Sequence, residues 1–255
     1  MRARINIRCV KFRQVSTIAT INIEKYVDNI IHELRPPVSN RLMFNGSQFK
    51  VMVVGGPNSR DDFHIQCGEE LFFQLRGDMN LDIMYSGVRQ KIQIGEGQLF
   101  KLPRTVAHSP QRYANTIGLV FERARLKSEL DEMNWFIPGS NNVLYSEKFY
   151  CEDLGTQLKP IIENFRKSEG YKRYLQGSIP VAISPITDTF YSSHGTAKPF
   201  ALSDAISRPA ASSKEAGNKS VIDGEFNVRL IYGHQHLRLP NLDQGTDMGT
   251  FEFLA

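Results

Sequence analysis

Two histidines and a glutamate have the residue types and the spacing of a metal site. His64 and Glu70 lie six residues apart with Gly68 between them, and His108 lies 44 residues after His64. Iron(II), Fe(2+), that must bind both a substrate and O2 is commonly held by two histidines and one carboxylate on one face of its octahedron. A tight bend at Gly68 would bring His64 and Glu70 together, so these three residues are the candidate iron ligands. Each alone is more often a surface or hydrogen-bonded core residue, so the assignment depends on what frames the set.

The sequence around these residues is typical of a chain of short β-strands. From Arg41 to Arg125 the apolar or alternating runs are FKVMVV, ELFFQL, MNLDIMY, KIQI, QLFKLP and TIGLVFER, separated by turn sequences such as GGPN, RGD, SGV and GEG. Short, evenly spaced strands with glycine turns predict a mainly β sandwich or barrel, of which the jelly roll is one form. Strands would hold the three candidate ligands rigidly. Beyond Ser128 the pattern is mixed.

Two helices are predicted beside the strands. Glu24–Leu34 has apolar residues at helical spacing and stops before Pro36, where the preceding residue is biased out of the helical region. Thr156–Leu175 reads as a helix that is interrupted at Pro160 and Gly170. We expect this second helix to pack on the barrel.

The glycines and prolines of the strand region lie at informative spacings. Gly77 follows Glu70 by seven residues, Gly97 precedes Pro103 by six, and His108 follows Pro103 by five. These spacings resemble the two short motifs of the cupin superfamily. The resemblance implies a jelly-roll barrel, also called a double-stranded β-helix.

The chain departs from the general cupin pattern at two positions. Asp62 stands two residues before His64, where the first motif usually carries another histidine, and Arg112 stands four residues after His108, where the second usually carries asparagine. Strand alternation would place Arg112 on the same face as His108, and Arg60 on the same face as His64. A guanidinium at the rim of the metal pocket suits a substrate with a carboxylate.

Three longer segments identify a closer resemblance. VMVVGGPNSRDDFHIQCGEELFFQLRGDM, LPRTVAHSPQRYANTIGLVFER and FYCEDLGTQLKPII are similar to the 3-hydroxyanthranilate 3,4-dioxygenases, over about residues 35–165. HSPQR and FYCxDLGTQL are not general cupin features. The resemblance implies O2-dependent ring opening of 3-hydroxyanthranilate to 2-amino-3-carboxymuconate semialdehyde. That product cyclises to quinolinate, in the kynurenine route to NAD.

The resemblance also implies roles for individual residues. His64, Glu70 and His108 would hold Fe(II). Arg112 would clamp the substrate carboxylate through its planar guanidinium. Asn40 matches a residue of the substrate pocket.

Two further residues would act near the reacting atoms. Arg60 would lie beside O2 and stabilise negative charge as it develops there. Glu122 would accept a hydrogen bond from the amino or hydroxyl group of the substrate and serve as proton acceptor. The alternatives are that the arginines form surface ion pairs and that Glu122 pairs with Arg123 or Arg125 at the end of a strand.

These observations divide the chain into three regions. Residues 1–34 would be a basic extension with a short helix, residues 35–176 the catalytic cupin domain, and residues 177–255 a linker followed by a degenerate second cupin-like region. Bacterial members carry four C-terminal cysteines for a second iron site, which this chain lacks, so it resembles the animal form. With one clear strand candidate at 227–232 and the end GTFEFLA, we expect the second region to be incomplete, with exposed strand edges that lower stability.

A second histidine pair occurs in this last region. His234 and His236 could present two imidazoles to one metal if they lie on a strand. No acidic residue or third histidine follows at ligand spacing. We therefore expect no metal there.

Composition limits the partners and the compartment. No apolar run reaches the length that a membrane-spanning helix needs, and the net charge of +4 is spread over residues of both signs. We expect no membrane or nucleic-acid partner, a monomer, and 3-hydroxyanthranilate and O2 as the bound molecules. Three cysteines without a CxxC pair indicate a reducing, cytoplasmic location. The basic first 22 residues, which lack acidic residues, leave mitochondrial import as the alternative.

Two other functions compete with the dioxygenase. One is a cupin that binds a metal or ligand without catalysis. The other is a metal-dependent sugar isomerase, which usually has a fuller ligand set and gains nothing from an arginine that clamps a carboxylate.

Overall fold

The described part of the chain consists mainly of two large antiparallel β-sheets, with two small sheets, of three and two strands, and three helices. A computed structural model describes residues 9–14, 17–36, 39–45, 49–85, 87–177, 183–185, 198–201, 218–222, 228–231 and 250–254. The strands are β1 (Cys9–Gln14), β2 (Thr17–Asn22), β3 (Asn40–Asn45), β4 (Phe49–Gly55), β5 (Asp62–Ile65), β6 (Glu70–Arg76), β7 (Met79–Tyr85), β8 (Val88–Ile94), β9 (Gln98–Leu102), β10 (Ala107–Arg112), β11 (Ile117–Arg123), β12 (Asp131–Phe136), β13 (Asn142–Phe149), β14 (Ile183–Pro185), β15 (Phe200–Ala201), β16 (Asn218–Ile222), β17 (Val228–Ile231) and β18 (Thr250–Leu254). The helices are α1 (Ile23–Ile30), α2 (Leu154–Lys167) and α3 (Glu169–Leu175).

The order of the strands is that of a jelly roll. One sheet has the order β14-β13-β12-β5-β10-β7-β8, and the other has the order β15-β9-β6-β11-β4-β3. From β4 to β11 the chain crosses between the two sheets, with only the hairpin β7-β8 staying in one of them. Such crossing produces two four-stranded sheets, β5-β10-β7-β8 and β4-β11-β6-β9, which is jelly-roll topology. The predicted barrel is therefore confirmed, with all six runs noted in the sequence forming strands.

Both faces of the six-stranded sheet are buried. Phe72 of β6 packs between the two sheets with Leu81 of β7 and Phe100 of β9. Its neighbours Leu71 and Phe73 point to the opposite face and form a second core. Helix α1 covers that second core with its own buried residues Ile23 and Val27. Burial on both faces explains why Leu71, Phe72 and Phe73 are apolar in succession rather than alternating with polar residues.

The predicted first helix ends earlier than expected. Helix α1 stops at Ile30 and residues 31–33 form a turn, in which the Glu33 amide donates to the Ile30 carbonyl. Its start is fixed by Asn22, whose side chain accepts a hydrogen bond from the Lys25 amide.

The predicted second helix is interrupted at one place, and that place is Ser168. Helix α2 continues through Pro160, because one missing backbone donor is offset by the packing of the buried Leu158, Ile161 and Phe165. Ser168 has an extended backbone and its hydroxyl accepts from the Tyr171 amide, so it ends α2 and caps α3. The predicted interruptions at Pro160 and Gly170 are therefore wrong, while packing on the barrel is confirmed.

The region after Ser128 contains strands that the sequence did not predict and one that it did. Strands β12 and β13 were not expected from the mixed pattern after Ser128, whereas β17 confirms the strand candidate at 227–232. His234 and His236 lie outside the described residues, as does most of the region after residue 177, so the division into domains stays a prediction. Among the described helices, none combines the length and the apolar character that crossing a membrane requires.

Helix α2 provides a test of the packing on the barrel. The ring of Phe165 stacks on Trp135 of β12, with 4.2 Å between centroids and 15° between planes. We expect Phe165→Ala to lower the free energy of unfolding by about 3–5 kcal/mol, because it leaves a cavity beside the indole. Leu175→Ala, at a residue that is 66% exposed, should change it by less than about 0.5 kcal/mol. Urea unfolding followed by tryptophan fluorescence measures both; equal midpoints for the two variants would contradict the proposed packing.

Candidate metal centre and its cavity

The three candidate ligands converge at one end of the barrel interior. His64 lies on β5, Glu70 begins β6, and His108 lies on β10 directly opposite His64 in the register of the two strands. The turn 66–69 between β5 and β6 brings Glu70 back toward His64, as the bend near Gly68 predicted. The possible ligand atoms of the three residues lie within 4.8 Å of one another, and all three side chains are buried.

The protonation of His108 follows from its neighbours. His108 Nδ1 lies 3.0 Å from the carbonyl oxygen of Val106, which can only accept, so Nδ1 carries the proton. In the neutral ring the lone pair of Nε2 then faces Glu70 Oε1 at 3.0 Å. That oxygen is buried and has no hydrogen-bond partner of good geometry. Burial lowers the pKa of His108, but the charge of Glu70 offsets this and raises the pKa above its usual value.

His64 is held in the same way by a residue that the sequence analysis missed. Its Nε2 lies 2.7 Å from Oδ2 of Asp131, which is buried at the start of β12. Burial acts to raise the pKa of Asp131, but its bonds to His64 and Arg125 lower that pKa well below its usual range, so the carboxylate accepts and Nε2 donates. The other ring nitrogen, Nδ1, faces Glu70 Oε1 at 3.9 Å.

These contacts fit a bound cation. Nε2 of His108 and Nδ1 of His64 both face one buried carboxylate oxygen, an arrangement that a cation bound between the three groups would stabilise. Two histidines and one carboxylate are the set that non-haem iron(II) uses when it keeps open positions. Each histidine also has an outer acceptor that fixes its ring orientation, as ligand histidines in metal sites commonly do. His64, Glu70 and His108 therefore fit the metal that the sequence predicted.

A cavity opens beside the three ligands. Its empty space amounts to about 520 Å³ when the solvent at its open mouth is included. Its polar wall contains Ser39, Asn40, Asn58, Arg60, His64, Glu70, His108, Arg112 and Glu122. Its apolar wall contains Met52, Val54, Phe72, Pro110, Val120, Leu154 and Leu158. The cavity thus joins the candidate metal ligands to every other residue that the sequence analysis assigned to the site.

Arg112 brings an unpaired positive charge to the cavity wall. Its side chain is buried, Nη1 donates to Gln74 Oε1 at 2.8 Å, and Nε has no partner. Within the described part of the chain no carboxylate forms an ion pair with it. Burial, together with the nearby charge of Arg60, lowers the pKa of Arg112 to about 9, so the group stays cationic at neutral pH. A buried cation without a counterion is costly, and an anion in the cavity would remove that cost.

Other polar atoms of the wall are also left without partners. Eight buried side-chain atoms of the described residues lack hydrogen bonds, and five of them line this cavity. They are Ser39 Oγ, Asn40 Oδ1, Glu70 Oε1, Arg112 Nε and Glu122 Oε1. Buried polar atoms are usually satisfied, so this concentration marks a place for a polar ligand. Ser39 was not identified from the sequence, because a lone serine before a strand has no distinctive pattern.

Arg60 lies in the wall but has a partner. Its guanidinium forms an ion pair with the buried Asp62, with a second contact of 3.0 Å from Nε to the same carboxylate. Asp62, at the position where the general cupin motif carries a histidine, therefore neutralises Arg60 and takes no part in the ligand cluster. Arg60 shares the cavity with His64, and Arg112 with His108, as strand alternation predicted.

The sequence left open whether Glu122 lines the substrate pocket or pairs with a neighbouring arginine, and in the structure it does both. Its Oε2 forms an ion pair with Arg125, while Oε1 has no partner and belongs to the cavity wall. Burial raises the pKa of Glu122 in spite of the opposing charge of Arg125. A carboxylate with a raised pKa is better suited to take up a proton near neutral pH.

Arg125 also binds the residue that holds His64. Its Nε and Nη2 contact Asp131 Oδ1 and Oδ2 at 2.9 and 2.7 Å, and Nη2 donates to Gln66. The sequence suggested the pairing of Glu122 with Arg125 but not the part played by Asp131, which begins a strand that was not predicted. The cluster of charged residues in FERARLKSELD was the only available signal.

Three relatives from different animals carry the same name. This chain is 52% identical to a 3-hydroxyanthranilate 3,4-dioxygenase of Xenopus tropicalis over 152 aligned residues. The aligned region covers 60% of this chain and 54% of the Xenopus protein. The protein of the same name from Homo sapiens is 47% identical over 152 residues, 60% of this chain and 53% of the human protein. The one from Nematostella vectensis is 49% identical over 137 residues, 54% of this chain and 50% of that protein. The chain therefore spans about half the length of the curated relatives that it matches.

Solved structures and a family model complete the comparison. A cupin-2 domain protein from Shewanella frigidimarina aligns at 17% identity with a TM-score of 0.33, over 40% of this chain and 93% of that one; the fold assignment rests on the strand order instead. The model of the 3-hydroxyanthranilic acid dioxygenase family matches residues 15–166. This match covers more than half of the chain and includes every residue of the site. The chain therefore belongs to the 3-hydroxyanthranilic acid dioxygenase family.

Proposed function

We propose that this chain uses Fe(II) and O2 to open the ring of 3-hydroxyanthranilate, giving 2-amino-3-carboxymuconate semialdehyde, the precursor of quinolinate. The observation that carries the proposal is Arg112, a buried cation without a counterion in a cavity that also holds two histidines and a glutamate. An aromatic acid that fills this cavity would place its carboxylate on the guanidinium. The names of the relatives support the same substrate.

The walls of the cavity suit the remaining parts of this substrate. The aromatic ring would lie against apolar residues of two barrel strands and of α2, such as Phe72, Val120 and Leu154. Glu122 Oε1 and Asn40 Oδ1 are unpaired acceptors, and the substrate has donors to offer them in its amino and hydroxyl groups. Glu122 would take the hydroxyl proton when the ring is activated.

Arg60 supplies a fixed positive charge that could stabilise negative charge on O2. Iron(II) held by His64, Glu70 and His108 would supply the binding and activation of O2 and of the substrate hydroxyl. Arg60, held in the wall by Asp62, would place N–H groups toward charge that develops on oxygen. Because Asp62 neutralises most of its charge, we assign Arg60 a smaller electrostatic contribution than an unpaired arginine would make.

The competing functions account less well for the cavity. A neutral sugar, as the substrate of an isomerase, has no anionic group that would balance Arg112. A cupin that binds without catalysis would share the metal ligands and the anion site, so activity alone separates it from the dioxygenase.

Turnover provides the direct test. The purified full chain, loaded with Fe(II) without oxygen and mixed with 3-hydroxyanthranilate and then O2, should consume one O2 for each substrate and produce the absorbance of the semialdehyde. Protein kept metal-free by a chelator is the control and should do neither. No oxygen uptake by folded, iron-loaded protein would favour the non-catalytic cupin.

Removal of one ligand tests the metal centre. We expect His108→Ala to lose the metal, because two remaining ligands leave an open, weakly binding site. His32→Ala, at an exposed histidine of the turn after α1, is the matched control and should bind as the unchanged protein does. Metal content after Fe(II) loading and gel filtration measures both. Stoichiometric iron in His108→Ala would show that the centre is misassigned.

Removal of the unpaired cation tests the anion site separately. We expect Arg112→Ala to keep its metal and to raise KM roughly 10- to 150-fold, the equivalent of about 1.5–3 kcal/mol for lost hydrogen bonds to a charged group. Arg76→Ala removes an exposed arginine at the end of β6 and should leave KM unchanged. The assignment is wrong if Arg112→Ala loses its metal while KM stays the same.

A further inference from the structure

Arg125 is the most completely bonded side chain around the site. Its Nε donates to Asp131 Oδ1, its Nη1 to Glu122 Oε2 and the Arg123 carbonyl, and its Nη2 to Asp131 Oδ2 and Gln66 Oε1. All five N–H groups of the guanidinium therefore have acceptors, and the side chain is only 2% exposed. A planar fork with every donor engaged has one orientation. Arg125 itself does not line the cavity.

The two carboxylates that bind Arg125 belong to different halves of the site, the candidate metal ligands and the substrate cavity. Asp131 accepts from His64, so it orients a candidate metal ligand. Glu122 lines the substrate cavity and keeps Oε1 free because Oε2 is held by Arg125. One guanidinium thus fixes the positions of both groups.

We propose that Arg125 is a positioning residue for both halves of the site: through Asp131 it fixes the ring of His64 for metal binding, and directly it fixes Glu122 for the substrate. The part that concerns Glu122 rests on the proposed function, whereas the part that concerns His64 needs only a metal.

A neighbouring ion pair spans the same turn as Arg125 and provides a comparison for it. Arg123 ends β11 and binds Glu129 through two contacts of 2.6 Å, across the same turn that Arg125 spans to reach Asp131. Both pairs join residues six apart in sequence. The Arg123 pair is more exposed, its side chains 20% and 16% accessible, and Glu129 also accepts from the Leu126 amide. The more exposed, outer pair thus contacts the turn itself, whereas the buried pair, Arg125 with Asp131, also contacts the site through His64 and Glu122.

This difference provides a matched set of variants. Asp131→Asn keeps the shape of the side chain and removes its charge, and Arg125→Lys keeps the charge and removes the fork. Arg123→Lys makes the same change in the outer pair. For each full-length protein we would measure the dissociation constant of Co(II) by competition with a chromogenic chelator. The affinity of the Co(II)-loaded protein for 3-hydroxyanthranilate would be measured under argon by the fluorescence of the substrate.

The proposal predicts a distinct result for each variant. Asp131→Asn should weaken Co(II) binding by roughly 10- to 100-fold and leave substrate affinity at saturating Co(II) within about threefold. Arg125→Lys should weaken both affinities by at least about tenfold, and Arg123→Lys neither. Unchanged Co(II) affinity in Asp131→Asn would overturn the proposal, and so would equal losses in Arg123→Lys and Arg125→Lys, which would mean that both arginines only hold the turn.

Two provisions keep the result interpretable. If circular dichroism shows that Arg125→Lys does not fold, Gln66→Met removes one neutral acceptor of Arg125 and no charge. It should weaken both affinities in the same direction, and no change in either would overturn the proposal. If the unchanged protein binds Co(II) but neither binds nor converts 3-hydroxyanthranilate, the proposed function fails while the effect of Asp131→Asn on Co(II) affinity still tests the role of Arg125 at His64.

Discussion

The cost of burying charge is the constraint on which the interior of this barrel depends. Around the cavity lie three arginines and four carboxylates, all with side chains that are 15% exposed or less: Arg60, Arg112, Arg125, Asp62, Glu70, Glu122 and Asp131. Three positive and four negative charges leave a net charge of −1 when both histidines are neutral. A divalent cation on the ligand cluster changes this to +1, and a substrate with one carboxylate brings it to zero. With both histidines neutral, the metal and an organic anion together therefore balance the buried charges around the cavity.

The jelly roll makes this concentration of charge possible because its strands fix the side chains before any ligand arrives. Pairing of β5 with β10 puts His64 opposite His108, and pairing of β6 with β11 puts Glu70 opposite Glu122. Two cross-strand pairs, one in each sheet, thus supply the candidate metal ligands and the candidate proton acceptor. Two carboxylates directly opposite each other repel, and Arg125 offsets this repulsion by binding Glu122. The sheet geometry therefore creates the need for the buried arginine that the site contains.

Sequence patterns predicted the parts of the structure that depend on local periodicity. The strands from FKVMVV to TIGLVFER follow from apolar runs and glycine turns, and the choice of the three candidate ligands, which the structure brings together, follows from their spacing to those turns. The alternation rule also placed Arg60 with His64 and Arg112 with His108. Tertiary contacts decided the rest: packing on Trp135 keeps α2 helical through Pro160, and the β12 strand that carries Asp131 exists because it pairs with β5. No local pattern encodes a contact between residues 64 and 131, so the outer partner of His64 could be found only in three dimensions.

Helix α2 links the stability of the barrel to the completeness of the site. Leu154 and Leu158 belong both to the apolar wall of the cavity and to the core between the sheets. The helix is fixed at its start by Asp153, whose side chain accepts from the Gly155 amide, and at its other end by Phe165 against Trp135. Unless α2 is docked, the cavity is open to water on its apolar side, and water would weaken the electrostatic effect of Arg112 and Arg60 on a bound anion. Docking of α2 therefore does more than bury apolar surface: it sets the low dielectric in which these two arginines act.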